Sequence, residues 1–324
     1  MPTAVERGIS MSKYSSKLLT ISILTYNRAS LLCILLEQLM SLKYKPLEII
    51  VVDNHSEDNT QNMIKERYPT VMYVRTDENI GVLARNIGMK NAKGEIVITI
   101  DDDIQGIHDD DLGNLVSIFN NQPELGAVNF KIVNPQGKVC NWVHHCKEED
   151  YHDKEFITYE ITEGAVAFRK TTLEQSGYYP RNYFISHEGP DLAFRIFECG
   201  FKVIYSGKVN VTHYYSDEAR ELWRNYYYDT RNQFWLAARN FPLSYSITYL
   251  SRGLISMMIY SIRDGYFIYW LKAIKDAIIG LKSVLQERRV LSDNTMHIIN
   301  QIDSNRPDLF YLLKKRIFKK GLRF

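Results

Sequence analysis

An α/β fold with a mostly parallel sheet, followed by a region of amphipathic helices, is what this 324-residue sequence predicts. Three observations carry that expectation. From Leu18 to Ile100, short apolar runs alternate with segments whose apolar residues recur at helical spacing. Parallel strands need crossovers, and helices then cover both faces of the sheet. Beyond Leu222 no strand pattern remains, and Tyr, Ile, Leu and Arg recur amphipathically.

The elements read in order. LLTISIL is a strand and ASLLCILLEQLM a helix; LEIIVVD is a strand and DNTQNMIKERY a helix. VMYVR is a strand, GVLARNIGMKNA a helix and EIVITI a strand. After Asp111 the alternation loosens to a helix over residues 112–120, a strand AVNFKIV and an unreadable stretch over residues 134–159. Strands EGAVAFR and FKVIYS follow, with the helix DLAFRIFECG between them, and VNVTHYYS reads as another strand. A change of character at residues 216–222 divides the chain into a disordered start (1–17), a catalytic domain (18–220) and a helical, membrane-associating region (221–324).

Composition narrows the class. Hydrophobic residues make up 45% of the chain and charged ones 24%, as in ordinary globular proteins. A net charge of +2 hides an asymmetry: residues 314–324 carry six Lys or Arg and no acid, and residues 101–111 carry six Asp. Four scattered cysteines make no disulfide framework and suit a reducing, cytoplasmic setting. The N-terminus lacks the apolar core of a secretion signal. No stretch reaches the roughly 18 apolar residues of a membrane span.

In open parallel sheets ligands sit beyond the carboxyl ends of the strands, which directs attention to residues 25–28, 53–60 and 101–103. TIDDDI is the strongest signal. Its carboxylates suit a hard divalent cation, Mn²⁺ or Mg²⁺, of the kind that neutralises a diphosphate and its departing charge. The competing readings are a solvated acidic loop and a calcium loop. The latter places Asp101, Asp103, Gln105, Gly106 and Asp109 at the right positions but fails at Leu112, where a bidentate Glu belongs. In DNHSEDNT, Asp53 can accept hydrogen bonds from a base or ribose, and Ser56, Asp58 and Thr60 suit a turn and a helix N-cap. In ILTYNR, Tyr26 can stack on a pyrimidine and the backbone around Thr25 can read its edge. Arg85 offers a diphosphate or base contact. Taken alone, each of these is also an ordinary surface turn or solvated helix.

In order and spacing, SILTYNR, VVDNHSEDNT, GVLARNIGMKNAKGE and the acidic triplet resemble the inverting glycosyltransferase family 2, with its Rossmann-like, type A nucleotide-diphospho-sugar transferase fold. The resemblance spans residues 19–103, with later matches to residue 215. It implies a nucleotide-sugar donor held by residues of four segments: Thr25, Tyr26, Asn27 and Arg28; Asp53; Arg85; and Asp101 with Asp102. Asp103 stands on the metal side with Asp101. EGAVAFRK resembles the strand beside the donor sugar, with Glu163 and Gly164 near it. HEGPDLAFR resembles the start of the acid-bearing helix, where the family often has paired acids. Here Gly189 separates Glu188 from Pro190 and Asp191, so both acids are candidates for the base. Glu188 is favoured, because Asp191 also suits a structural role at a helix start. His213 stands where members often supply a third metal ligand, although a lone His is commonly structural. Arg231 and Asn232 can close over the diphosphate or cap a tyrosine-rich packing face. In CNWVHHC, Cys140, His144, His145 and Cys146 could ligate zinc, but the spacing is cramped and an acceptor-side loop is preferred.

The expected activity is metal-dependent, inverting transfer of a sugar, from UDP first and dTDP-rhamnose next, to an acceptor hydroxyl in surface-polysaccharide or lipid-linked glycan synthesis. The helices over residues 241–291 and the basic tail suit an anionic membrane surface, placing the chain peripherally on the inner face of the cell membrane. No nucleic-acid module accompanies the tail. The alternatives are a protein or peptide glycosyltransferase and a catalytically silent nucleotide-sugar-binding subunit.

Overall fold

A computed structural model describes residues 17–140, 145–147, 151–162, 164–215 and 221–307. Several expectations fall on residues outside these: the disordered start, His144, Glu163, most of the domain boundary at residues 216–222, and the basic tail at residues 314–324.

β1 (Leu19–Thr25) and β2 (Leu47–Asp53) flank the helix α1 (Ala29–Met40). α2 (Thr60–Arg67) leads to β3 (Met72–Arg75). A 3₁₀ turn (Gly81–Ala84) and α3 (Arg85–Asn91) lead to β4 (Ile96–Asp101). Among the described residues the sheet has nine strands. It is parallel through β3, β2, β1 and β4, in that spatial order. The alternation of β1 has a physical use on each face. Leu19, Ile21 and Ile23 are fully buried against α1, while Thr20 and Ser22 keep the other face thin. A Cβ at Gly88 of α3 would lie 1.9 Å from Ser22 Oγ, so only glycine lets α3 approach β1 this closely.

Beyond β4 the sheet is mixed. After β5 (Ile104–Gln105) come α4 (Asp109–Asn121), β6 (Leu125–Val133), β7 (Glu155–Ile157), β8 (Ala165–Arg169), α5 (Lys170–Ser176), α6 (Glu188–Glu198) and β9 (Lys202–His213). β8 runs antiparallel to both β4 and β6. EGAVAFR and FKVIYS are therefore not neighbours, because β6 lies between β8 and β9. VNVTHYYS is not a separate strand either: β9 runs through Gly207 to His213, absorbing a register shift against β6 between Phe130 and Lys131.

The C-terminal region is helical: α7 (Trp223–Asn240), α8 (Leu243–Arg263), α9 (Phe267–Gln286) and α10 (Asp293–Ser304). It is continuous with the core of the sheet domain. Leu236, Ala237 and Phe241 of the α7 end, and Met296, Ile299 and Ile302 of α10, join the cluster that buries Val97, Val166 and Phe194. α9 lies against α7, where Trp235 Nε1 donates to the Ala277 carbonyl at 3.0 Å. No helix among the described residues is long and apolar enough to cross a membrane.

Candidate active site

β1, β2 and β4 end side by side, with Thr25 paired to Asp53 and Leu24 to Asp101. This register brings the three sequence-marked segments to one edge. β5 then pairs antiparallel with β9, setting Ile104 opposite His213. His213 Nε2 lies 3.3 Å from Asp103 Oδ1, and the Tyr214 N–H donates to the Asp103 carbonyl at 2.8 Å.

The acidic triplet is not a free acidic loop. Arg28 Nη1 reaches Asp102 Oδ1 at 3.1 Å and Asp103 Oδ2 at 2.8 Å. Arg85 Nη2 pairs with Asp101 Oδ1, and its Nη1 donates to the Ile100 carbonyl at 3.3 Å. Asp102 and Asp103 are buried, whereas the Asp101 side chain keeps 26% exposure. Burial pushes the Asp102 carboxyl up to about 7; Arg28 and Thr25 oppose the shift, and Asp103 and Asp101 add to it. His213 is raised to about 9: its burial acts the other way and is outweighed by hydrogen bonds to Asp103 and Cys140 and by the charges of Asp103 and Asp101.

Thr25 is 1% exposed, its hydroxyl donating to Asp102 Oδ2 at 2.8 Å and its carbonyl accepting from Asn54 N–H at 2.9 Å. The expected exposed backbone edge at Thr25 is thus spent on tying β1 to its neighbours. Tyr26 is half-buried beside it. Asn27 takes a left-handed φ of 54°; its N–H donates to Ser56 Oγ at 2.9 Å, and its Oδ1 accepts from Glu57 N–H at 2.7 Å. Asp53 is fully buried, with Oδ1 accepting from Ser56 N–H at 2.8 Å and Oδ2 from Tyr73 Oη at 2.5 Å. Asp58 caps two helices together, accepting from Ala29 N–H at 2.9 Å and Thr60 N–H at 3.1 Å.

Sequence reading missed Tyr73 and Asn54. Asn54 Oδ1 accepts from Ile80 N–H at 3.0 Å, and its Nδ2 donates to the Gly81 carbonyl at 3.1 Å. Val82 N–H in turn donates to the Phe184 carbonyl at 2.8 Å, joining this edge to the segment before α6. An Asn directly after Asp53 at a strand end was the available signal for that link.

Gly164 is buried, its carbonyl accepting from Asp101 N–H at 3.2 Å. Glu188 opens α6, 2% exposed. Asp191 is fully buried and engaged by side chains rather than by the helix backbone alone: Arg195 Nε at 3.1 Å, Arg239 Nε at 3.1 Å and Asn240 Nδ2 at 2.9 Å. Arg231 sits on an aromatic face, 4.3 Å from the Trp235 ring centre and 5.0 Å from that of Tyr228. Its guanidinium thus faces the aromatic packing face, and its Nε donates to Asn232 Oδ1 at 2.9 Å. Asn232 Nδ2 donates to the carbonyls of Ile185 at 2.6 Å and Ser186 at 2.9 Å, directly before α6.

Asp103 and His213 offer a carboxylate and an imidazole facing one another in a buried spot, donor types that suit a divalent cation of the Mn²⁺ kind once the imidazole gives up its proton on the cation's arrival. Asp101 has one oxygen on Arg85 and is not gathered with them; no group of three His, Cys, Asp or Glu converges among the described residues. A calcium loop does not form: Asp109 Oδ1 instead accepts from Lys43 and Tyr44 N–H at 2.9 and 2.7 Å. Of the candidate zinc ligands, His144 lies outside the described residues and His145 packs between the Phe156 and Tyr159 rings.

Comparison with known proteins finds similarity to glycosyltransferases. Residues 20–176 match the family model described as Glycosyl transferase family 2. The uncharacterized glycosyltransferase YwdF of Bacillus subtilis (strain 168) is 38% identical over 88 residues, covering 26% of this chain and 32% of that protein. The match thus spans about a third of that relative's length. The O-antigen chain rhamnosyltransferase RfbN of Salmonella typhimurium is 22% identical over 223 residues, covering 64% of this chain and 70% of that one. In fold, S. aureus TarS 1–349 in complex with UDP-GlcNAc aligns with a TM-score of 0.59 at 16% identity, over 89% of this chain and 88% of that one. The mannosyltransferase PcManGT of Pyrobaculum calidifontis, in complex with GDP-Man and Mn²⁺, aligns at 0.55 and 20% identity, over 94% and 88%.

Proposed function

We propose that the chain, whose residues 20–176 match the model of glycosyl transferase family 2, is a member of that family and transfers a sugar, with inversion, from a nucleoside diphosphate to an acceptor hydroxyl. The observation that carries this reading is the register that ends β1, β2 and β4 side by side, with Asp53 and Asp101 at that edge, Arg85 paired to Asp101 and His213 facing Asp103. Asp53 and its Tyr73 partner suit the base and ribose, with Tyr26 as a stacking surface. Asp101 and Arg85 suit the nucleotide and its phosphates. Gly164 and Glu163 are assigned to the sugar.

Asp103 and His213 would hold a divalent cation, Mn²⁺ or Mg²⁺, and Asp101, not gathered with them here, is the third ligand proposed. When bound, the cation supplies Lewis-acid neutralisation of the diphosphate charge. Arg28 and Arg85 supply fixed positive charge at the same edge. Glu188 acts as general base. It takes the acceptor hydroxyl proton as that oxygen bonds to the anomeric carbon, while the bond from that carbon to the diphosphate oxygen breaks and the nucleoside diphosphate leaves. Asp191, engaged by Arg195, Arg239 and Asn240, holds α6 in place.

UDP is the first choice of nucleotide, dTDP-rhamnose the next, with a lipid-linked glycan as acceptor and the basic tail drawn to an anionic membrane at the inner face of the cell membrane. Transfer to a protein or peptide is the second enzymatic reading, and a silent nucleotide-sugar-binding subunit the non-enzymatic one. Thermal stabilisation by a panel of nucleotide sugars with Mn²⁺, followed by donor hydrolysis, tests the proposal. Stabilisation by UDP-sugars with release of UDP supports it. Stabilisation without hydrolysis indicates the silent subunit, and no response to any donor overturns it.

A further inference from the structure

We infer that the outer face of α8 and α9 is a docking surface for an anionic lipid bilayer, with the two helices lying in the plane of the membrane interface. On α8, Leu243, Ile247, Ile255, Ile259 and Ile262 are 50–75% exposed, and on α9, Phe267, Ile268, Leu271, Ile278, Ile279 and Leu285 are 37–67% exposed. Scattered exposed apolar residues are ordinary, but eleven on two consecutive helices are a concentration of the kind that marks an interaction face. A cleft of ≈ 400 Å³ between the helices, lined by Leu250, Leu254, Met258, Trp270 and Ile274, extends that face inward.

Charge decides the occupant. Lys272, Lys275 and Lys282 are exposed on α9 among the apolar residues, and Arg252 is exposed on α8. The two acids between Leu243 and Gln286 are turned inward: Asp264 accepts from Tyr226 Oη at 2.6 Å and Asp276 from Tyr227 Oη at 2.6 Å, both on α7. The outer face is therefore apolar and basic with no exposed acid. A second copy of the same face would set lysine against lysine, and the tail at residues 314–324, with six basic residues, would add like charge. Anionic headgroups above an acyl layer match both features: lysine stems lie along apolar surface while their ammonium groups stay at headgroup level. Because no described helix can cross a membrane and each of these packs one face on the protein, the contact is interfacial. This deepens the lipid-linked-acceptor reading by naming the surface that brings the chain to its acceptor.

The test is co-sedimentation of the full chain with vesicles of mixed phosphatidylcholine and phosphatidylglycerol, and with phosphatidylcholine alone. Two variants accompany it, Ile268→Ser/Leu271→Ser/Ile278→Ser/Ile279→Ser and Lys272→Glu/Lys275→Glu/Lys282→Glu, with melting temperature as the folding control. Wild type is expected to prefer the anionic vesicles, and each variant to lose at least about tenfold in binding to them, the tail being intact in both. Absent wild-type binding, or either folded variant binding as wild type does, overturns the inference. So does light scattering that finds a wild-type dimer broken by the serine variant, which would make this an interface between copies. Donor hydrolysis without vesicles is measured separately, so failure of sugar transfer and failure of membrane docking are distinguishable.

Discussion

Arg239 closes on Asp191: its Nε lies 3.1 Å from Oδ2 of a carboxylate that solvent does not reach. With Asn240 this ties α6 to α7, and Arg195, one turn along α6, bonds the same carboxylate. Asp191→Asn is expected to cost stability, of the order of 3 kcal/mol, since removing one charge of a buried set leaves the others uncompensated. Glu188→Gln is expected to keep donor affinity and lose about a hundredfold or more in turnover. Donor affinity, kcat and melting temperature of both variants check this. An active Glu188→Gln beside a folded, inactive Asp191→Asn would exchange the two roles.

Asp103→Ala is expected to abolish transfer and the Mn²⁺-dependent part of donor binding, and His213→Ala to weaken the metal requirement less severely. Donor titrations with Mn²⁺ and with EDTA read this directly. Full activity of wild type in EDTA would remove the metal from the reaction, and an unchanged requirement in His213→Ala would return that histidine to packing.

Asn232 holds the carbonyls of Ile185 and Ser186, and Ser186 and His187 take left-handed φ values of 74° and 66° just ahead of Glu188. Non-glycine residues in that region carry strain that surrounding contacts must hold. Asn232→Ala leaves two carbonyls without their donor, costing about 1–3 kcal/mol. It is expected to lower kcat more than donor affinity by releasing the base segment. A drop in melting temperature with kcat unchanged would limit Asn232 to stability.

The stability contribution of His145 is expected to fall on acidification between about pH 6.5 and pH 4, against the opposite contribution of Asp102, whose raised carboxyl takes up its proton in the folded state first. Burial, with the Arg306 charge adding and Asp303 opposing, pushes the His145 imidazole down to about 4, below the ordinary value of about 6.5. Above the ordinary value both states are neutral and stability is full. As pH falls, the unfolded chain takes up a proton that the folded chain refuses until about pH 4, a loss of up to about 1.4 kcal/mol per pH unit. Urea denaturation across this range should show a shallower slope for His145→Phe than for wild type. Parallel slopes would assign the acid sensitivity to other groups.

Much of the fold was legible locally. ASLLCILLEQLM and LEIIVVD coincide with α1 and β2, because amphipathic spacing and apolar runs report directly which face an element buries. The edge holding Asp53, Arg85 and Asp101 was legible for the same reason, since these residues end or follow such runs. Strand order was not legible. Nothing in EGAVAFR says that it enters antiparallel between β4 and β6, because its own burial pattern is satisfied in either direction.

The sequence by itself determined the α/β class, the parallel half of the sheet and the acidic edge where its strands end, all of which follow from the periodicity of neighbouring residues. Tertiary structure decided the partners. Arg28 pairs with Asp102 and Asp103, 74 and 75 positions away in the sequence. The β5–β9 register sets His213 at Asp103, and the seat of α7 engages Asp191 with Arg239 and Asn240. Burying a charge is costly unless an opposite charge or a hydrogen-bond donor meets it, and which group does so depends on how distant segments pack.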